Sequence, residues 1–340
     1  MMKAFSPWSD SFLKIGRYDK HEEAYNMWWS GSGVAFCIGC TQIEAEITST
    51  ASDHAQWLGV MMDGEIVARM PLRQGRHRYL LLAGMESGVM HEVSILRDTQ
   101  PSYDEAGPLY LHAVYADGEP KAPESKPLLI EFLGDSLTVG EGTMGPTSAQ
   151  EWRMMWISHM PAFPTLVASK LNAEKRVVAL GGWGVWKSWD SNRSSRIGAI
   201  YEQLCGVTPG GDKPYPFDER KADAVVINLG TNDGSAFDKE PADQKDAAVR
   251  QLTKDVYDLI AMVRAHQPDA HIFWAYGLCG TVMEKYLKPA VEADAAANGD
   301  KKVSYLPLPD ADGDVGSRMH PSRAAHRRAA AVIADAIQKM

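Results

Sequence analysis

The 340-residue sequence has only four cysteines, at positions 37, 40, 205 and 279. Cys37-Ile38-Gly39-Cys40 matches C-x-x-C, but no second pair accompanies it and no helical pattern follows it. In a strand-like segment the two side chains point to opposite faces, so the motif reads as structural. Cys205 and Cys279 stand alone and read as packing residues. No apolar run approaches the ~20 residues of a membrane span. Positive charge is also short: Lys and Arg number 35 against 44 Asp and Glu, a net charge of -9. That balance argues against nucleic acid or an anionic membrane as the main partner. The start, Met1-Met2-Lys3-Ala4-Phe5-Ser6-Pro7-Trp8, lacks the apolar core of a secretory signal, so the expectation is a cytoplasmic protein. Internal repeats and long low-complexity tracts are absent as well.

What remains is ordinary globular chemistry, 45% hydrophobic and 23% charged. A chain this long exceeds a single core, so two domains are expected.

Residues from about 10 to 117 read as β structure. Ile43-Glu44-Ala45-Glu46-Ile47-Thr48 alternates apolar and polar, the mark of a half-buried strand. Residues 33–38, 57–62, 78–82, 91–96 and 109–114 continue the series, and Asp63-Gly64 is a hairpin turn. Short strands without a long helix predict a sandwich or jelly roll. A stretch rich in Pro, Gly and charge, Asp117 to Pro127, then marks a domain boundary. The expected division is a β domain over 1–120, a linker over 121–127 and a second domain over 128–340.

After Pro127 strands alternate with helices. Strands are expected over 128–133, 176–180, 223–229, 271–276 and 303–308. Helices are expected over 165–171, 247–265, 282–297 and 322–338. This pattern predicts a three-layer α/β domain with a mostly parallel sheet.

In such a sheet the loops at the carboxyl ends of the strands share one edge, where ligands bind. Four polar motifs fall there: Gly134-Asp135-Ser136-Leu137, Gly181-Gly182-Trp183-Gly184, Gly230-Thr231-Asn232-Asp233 and His320-Pro321-Ser322. Each alone has a plain reading, as a strand-end turn, a tight loop or a helix cap. Their joint order is far more specific. Ser136 is a weak nucleophile until a base takes its proton. A histidine side chain ordinarily takes up and releases a proton near working pH, so His320 suits that base. The Asn232 amide and the backbone N–H groups of Ser136 and Gly182 are candidate oxyanion donors.

These four segments resemble the four blocks of the SGNH, or GDSL, hydrolases. The resemblance implies a flavodoxin-like fold with Ser136 as nucleophile, His320 as base, and Ser136, Gly182 and Asn232 as oxyanion hole. Ile15-Gly16-Arg17-Tyr18, Trp29-Ser30-Gly31-Ser32-Gly33 and His91-Glu92-Val93, ahead of Gly134-Asp135-Ser136, look like carbohydrate esterase family two. That family joins a jelly roll to an SGNH domain and removes O-acetyl groups from polysaccharides such as xylan and mannan. The implied activity is carbohydrate acetylesterase, with an acetylated poly- or oligosaccharide as substrate and no metal or organic cofactor.

One departure matters. SGNH enzymes commonly carry aspartate three residues before the histidine, and here that position is Ser317. Some members of the carbohydrate family manage with a Ser-His dyad. Asp314 is the nearest carboxylate substitute, and a backbone carbonyl accepting the His320 Nδ1 hydrogen is the alternative. Trp183, Trp186 and Trp189 follow the oxyanion loop and could stack on sugar rings or belong to the core. Competing classes fit less well. The elbow G-x-S-x-G fails at Thr138. The glycine-rich loop lacks the Gly-Lys-Ser/Thr of a phosphate loop, and His320 and His326 do not make H-E-x-x-H. The remaining alternatives are a carbohydrate-binding protein with a degenerate hydrolase domain, or an esterase acting on lipid or thioester.

Overall fold

The computed structural model describes residues 1–51, 53–101, 108–218 and 220–340. They form two compact units. Unit 1 comprises Met1–Ser125 with two later segments, Arg153–Met155 and Gln203–Lys213. Unit 2 comprises Lys126–Trp152, Trp156–Glu202 and Pro214–Met340.

Unit 1 is all β. Its strands are β1 (Lys3–Phe5), β2 (Leu13–Ile15), β3 (Tyr18–His21), β4 (Ala24–Met27), β5 (Gly33–Ile38), β6 (Gln42–Ser49), β7 (Trp57–Met62), β8 (Glu65–Pro71), β9 (Gly75–Ala83), β10 (His91–Arg97) and β11 (Leu109–Ala116). One sheet runs β3-β4-β11-β6-β9, with β1 also pairing β11, and the other runs β2-β5-β10-β7-β8. Their pairings are antiparallel, as expected for a sandwich.

Strand β6 shows why these residues choose this fold. Ile43, Ala45 and Ile47 point inward and are fully buried, while Glu44 and Glu46 point out. On the outer face Arg76 of β9 holds Glu46 at 2.9 Å, and Arg78 pairs with Glu44. The inward residues of both sheets, Tyr25, Val34, Ile43 and Val93 among them, share one apolar cluster. Between β7 and β8, Asp63 and Gly64 both take positive φ, 52° and 85°, the geometry of a tight hairpin. The later segment Gln203–Lys213 is tied in by long-range bonds that no local pattern encodes. Trp29 Nε1 donates to the Leu204 carbonyl at 2.8 Å, and Arg17 donates to that of Gln203 at 2.7 Å.

Unit 2 is a parallel sheet with helices. Its strands are β12 (Leu128–Gly134), β13 (Ala173–Ala179), β14 (Ala224–Asn228), β15 (His271–Tyr276) and β16 (Val303–Pro307). Its helices are α1 (Ser136–Val139), α2 (Phe163–Lys170), α3 (Thr231–Asp238), α4 (Lys245–His266), α5 (Glu284–Asn298) and α6 (Arg323–Ile337). The strand order is β13-β12-β14-β15-β16, parallel throughout. The sheet is apolar and covered, so its strands read as near-continuous buried runs. A charge pair is enclosed: Glu131 of β12 faces Arg176 of β13 at 3.1 Å and accepts from Tyr201 at 2.7 Å. The chain leaves β12 for β13 on one side and later returns to β14 on the other. The crevice between the carboxyl ends of β12 and β14 is therefore the topological switch point, where α/β sheets bind ligands. Among the described residues no helix is long and apolar enough to cross a membrane.

Candidate active site

Ser136 is the first residue of α1, immediately beyond β12. Asp135 caps the turn, its Oδ1 accepting from the Leu137 N–H at 3.0 Å. The first helical N–H groups have no intrahelical acceptor, which leaves the Ser136 N–H on the site side of the turn. His320 Nε2 lies 3.0 Å from Ser136 Oγ, so residues 184 positions apart form a hydrogen-bonded pair.

The other imidazole nitrogen meets a carbonyl, not a carboxylate. His320 Nδ1 lies 3.0 Å from the Arg318 oxygen. The intervening turn is unusual: Arg318 and Met319 both have positive φ, 53° and 58°. Two successive left-handed non-glycine residues cost roughly 1–2 kcal/mol each, and here they aim the Arg318 carbonyl back at the ring. The expectation that Asp314 could orient His320 is corrected. Asp314 instead accepts from the Ser322 hydroxyl and from Arg328 at 2.8 Å, which together hold its carboxyl below the usual range. Ser322 also caps α6 by accepting from the Ala324 and Ala325 N–H groups, so Asp314 braces the helix start.

Asn232 sits at the start of α3, beyond β14. Its Nδ2 donates to Asp135 Oδ2 at 3.0 Å and to the Trp183 carbonyl at 2.9 Å. Both amide hydrogens thus have protein acceptors, and donation to an oxyanion is shared with one of them. The same bonds link three of the four sequence motifs in one network. Burial above all pushes the Asp135 carboxyl up to about 7, against the Leu137 and Asn232 bonds that favour its ionised form.

Asp233, the next residue, anchors the segment that follows Gly184. Its carboxylate accepts from the backbone N–H groups of Val185, Trp186 and Lys187 at 3.1, 2.7 and 3.0 Å. Burial still pushes it up to about 6. This fits Gly184: a Cβ there would stand 2.1 Å from the Lys187 carbonyl oxygen and 2.6 Å from both Asp233 oxygens. Gly182 has φ 85°, and a Cβ on it would stand 2.9 Å from Trp189 Cδ1. The two glycines therefore have different jobs, one admitting a carboxylate and the other an indole.

The tryptophans are sorted by this folding. Of the two readings open for Trp183 and Trp186, sugar stacking or core, their exposures of only 7% and 3% fit the core. Asp233 draws their segment inward, so neither offers an open ring face. Trp189 is 57% exposed and rests against Gly182. Of the three rings it alone presents a broad surface to solvent.

Sequence reasoning missed Glu141. It follows Gly140, whose left-handed φ of 86° ends α1, and its N–H returns to the Ser136 carbonyl at 2.9 Å. Only 4% exposed, it pairs with Arg318, and its other oxygen lies 3.7 Å from His320 Nε2. A charged residue between two glycines, Gly140-Glu141-Gly142, was the available signal.

The sequence pattern of the GDSL-like Lipase/Acylhydrolase family matches residues 132–328. The chain belongs to this family. Ser136 and His320 both lie within the matched span. The pattern of the carbohydrate esterase 2 N-terminal region matches residues 14–122, in unit 1. The chain is similar to an acetyl xylan esterase, Est2A, from the rumen bacterium Butyrivibrio proteoclasticus. Identity to it is 27% and the TM-score 0.93, covering 100% of this chain and 98% of that one. A family two carbohydrate esterase from Clostridium thermocellum, solved in complex with cellohexaose, shares 26% identity with a TM-score of 0.85, over 96% and 98% of the two chains. The cellulase/esterase CelE of Acetivibrio thermocellus is 28% identical over 310 residues, 88% of this chain. The chain spans 36% of the length of CelE.

Proposed function

We propose that this acylhydrolase removes O-acetyl groups from carbohydrate, with acetylated xylan, mannan or oligosaccharides derived from them as substrates. The observation that carries the reading is the Ser136 Oγ–His320 Nε2 contact of 3.0 Å. The carbohydrate side is supported by the family two match of unit 1 and by the similarity to Est2A.

In the proposed reaction Ser136 Oγ attacks the acetyl carbonyl carbon while its proton passes to His320 Nε2. The carbonyl π electrons move to oxygen. That oxyanion takes hydrogen bonds from the Ser136 and Gly182 N–H groups and from Asn232. As the tetrahedral species collapses, the bond to the sugar oxygen breaks and His320 returns its proton to that oxygen. Water, deprotonated by His320, then attacks the acetyl-serine carbonyl, and as the bond to Ser136 Oγ breaks His320 returns the proton to that oxygen and acetate leaves. The Arg318 carbonyl fixes the tautomer of His320 with Nδ1 protonated and Nε2 free to accept.

Acetate release from acetylated xylan and mannan, set beside hydrolysis of long acyl esters, tests this function. The expected result is deacetylation with a strong preference for acetyl over octanoyl esters, lost in Ser136→Ala. Faster octanoyl hydrolysis points to a lipid esterase. Carbohydrate binding without hydrolysis of any activated acetyl ester points to a degenerate site.

A further inference from the structure

The site lacks the aspartate that would compensate the imidazolium charge from the Nδ1 side, since the Arg318 carbonyl occupies that place. A neutral acceptor fixes the tautomer but supplies no full charge. A carboxylate does reach the ring from elsewhere. Glu141 arrives from the loop after α1, on the Ser136 side, with Oε2 3.7 Å from His320 Nε2. Its Oε1 is taken by the Arg318 guanidinium, which gives this buried carboxylate a charged partner.

We propose that Glu141 is a positioning residue that acts on His320 in two ways. Through Arg318 it holds the strained turn whose carbonyl orients Nδ1. Through Oε2 it stabilises the imidazolium formed when Nε2 takes the serine proton. Charge compensation thus comes from the nucleophile's own loop, and the outer position of a triad is left to a carbonyl. No new covalent step is involved, because the proton still moves between Ser136 Oγ and His320 Nε2. The inference rests on the Ser136–His320 reading of the site.

Among the described residues, three titratable or charged groups near this imidazole bear on its charge. Glu141 faces Nε2, and Arg318 faces Glu141 from the ring's own turn. His326, six residues along on α6, is the third, and burial pushes its imidazole down to about 3, so it stays neutral in the working range. Arg318 opposes the field of Glu141, and its guanidinium binds Oε1 while Oε2 is the oxygen near the ring.

The test is Glu141→Gln, which keeps shape and removes charge, with Glu141→Asp as the milder second variant. The midpoint of the His320 Cε1–H resonance, followed by NMR against pH, is expected to fall by about half to one unit in Glu141→Gln. The acid limb of kcat/KM for an activated acetyl ester should move the same way, with kcat lowered about tenfold or more. Glu141→Asp, its carboxylate withdrawn by one methylene, should shift both part of the way. A rate loss with midpoint and limb unmoved would reduce Glu141 to a brace for the Arg318 turn and overturn the charge role. If Glu141→Gln does not fold, an unmoved midpoint in Glu141→Asp overturns it equally. The NMR titration needs no substrate. Failure to hydrolyse acetyl esters would therefore sink the proposed function while the resonance still decides this inference.

Discussion

His320 Nδ1 faces the Arg318 carbonyl at 3.0 Å, and no carboxylate of the 310–314 loop takes that place. Asp314, the nearest by sequence, is committed to Ser322 and Arg328. Replacing a triad aspartate by a neutral group can cost ~10⁴ in kcat, because the tautomer is lost. Here the carbonyl keeps the tautomer, so Asp310→Asn, Asp312→Asn and Asp314→Asn should each cost less than about tenfold. Asp314→Asn should instead loosen the start of α6 and lower the thermal midpoint slightly. Steady-state kinetics on an acetyl ester checks all three, and a thousandfold loss in any folded variant would establish a triad.

Asn232 is the side-chain donor of the proposed oxyanion hole, and its amide already serves Asp135 and the Trp183 carbonyl. Asn232→Ala should lower kcat by about 10²–10³ with little change in KM, the usual cost of one preorganised donor. Asp135→Asn is informative beside it. An amide there can turn its own N–H₂ toward Asn232, so the rate should fall although every heavy atom stays in place. A rise in KM at constant kcat in Asn232→Ala would make Asn232 a ground-state binding residue.

Much of this was legible in the sequence. Strands β7 and β15 have the bounds that the pattern predicts, residues 57–62 and 271–276, because their ends are marked by turn residues or a change of polarity. Ser136 and His320 were legible too, as motifs at ends of predicted elements on one sheet edge. The short strands β1 to β4 were not, since three or four residues carry no period to read. Nor were the roles of Arg318 and Glu141. Each depends on where a loop turns, and the positive φ of Arg318 and Met319 comes from packing, not from a local preference for the left-handed region. The burial of Trp183 and Trp186 followed from three N–H bonds to Asp233 that no spacing rule foretells.

Trp189 offers the exposed aromatic face beside the oxyanion loop, with its indole against Gly182 and the Lys239 ammonium 5.1 Å from its ring. If a sugar ring stacks there, Trp189→Ala should raise KM for acetylated oligosaccharide about tenfold while leaving kcat for a small activated acetyl ester within about twofold. The contrast between the two substrates is the measurement. Equal losses on both would assign Trp189 to holding Gly182, not to binding sugar.

The pH dependence of stability carries the last prediction. His326 is fully buried, stacks on Phe163 at 6.0 Å between centroids, and accepts the Phe163 N–H at Nδ1 over 3.2 Å. Burial first, and the charge of His320 second, push it down to about 3. Unfolded, it titrates near the ordinary ~6.5. Between those values the unfolded chain binds a proton that the native chain refuses, so this group's contribution to stability falls as pH falls through that window. Buried His159, likewise held well below its ordinary value, acts in the same direction. Asp135 and Asp233, raised to about 7 and about 6, act oppositely. They keep protons that the unfolded chain loses above ~4, so their contribution falls as pH rises toward neutrality. The opposed slopes partly cancel in the native sequence. His326→Asn keeps an acceptor for the Phe163 N–H and removes the titration. Between pH 4 and pH 6, the slope of unfolding free energy against pH should drop by about 1.4 kcal/mol per pH unit, one proton's worth. Urea unfolding at several pH values measures it. An unchanged slope would mean that His326 takes up its proton inside the folded core.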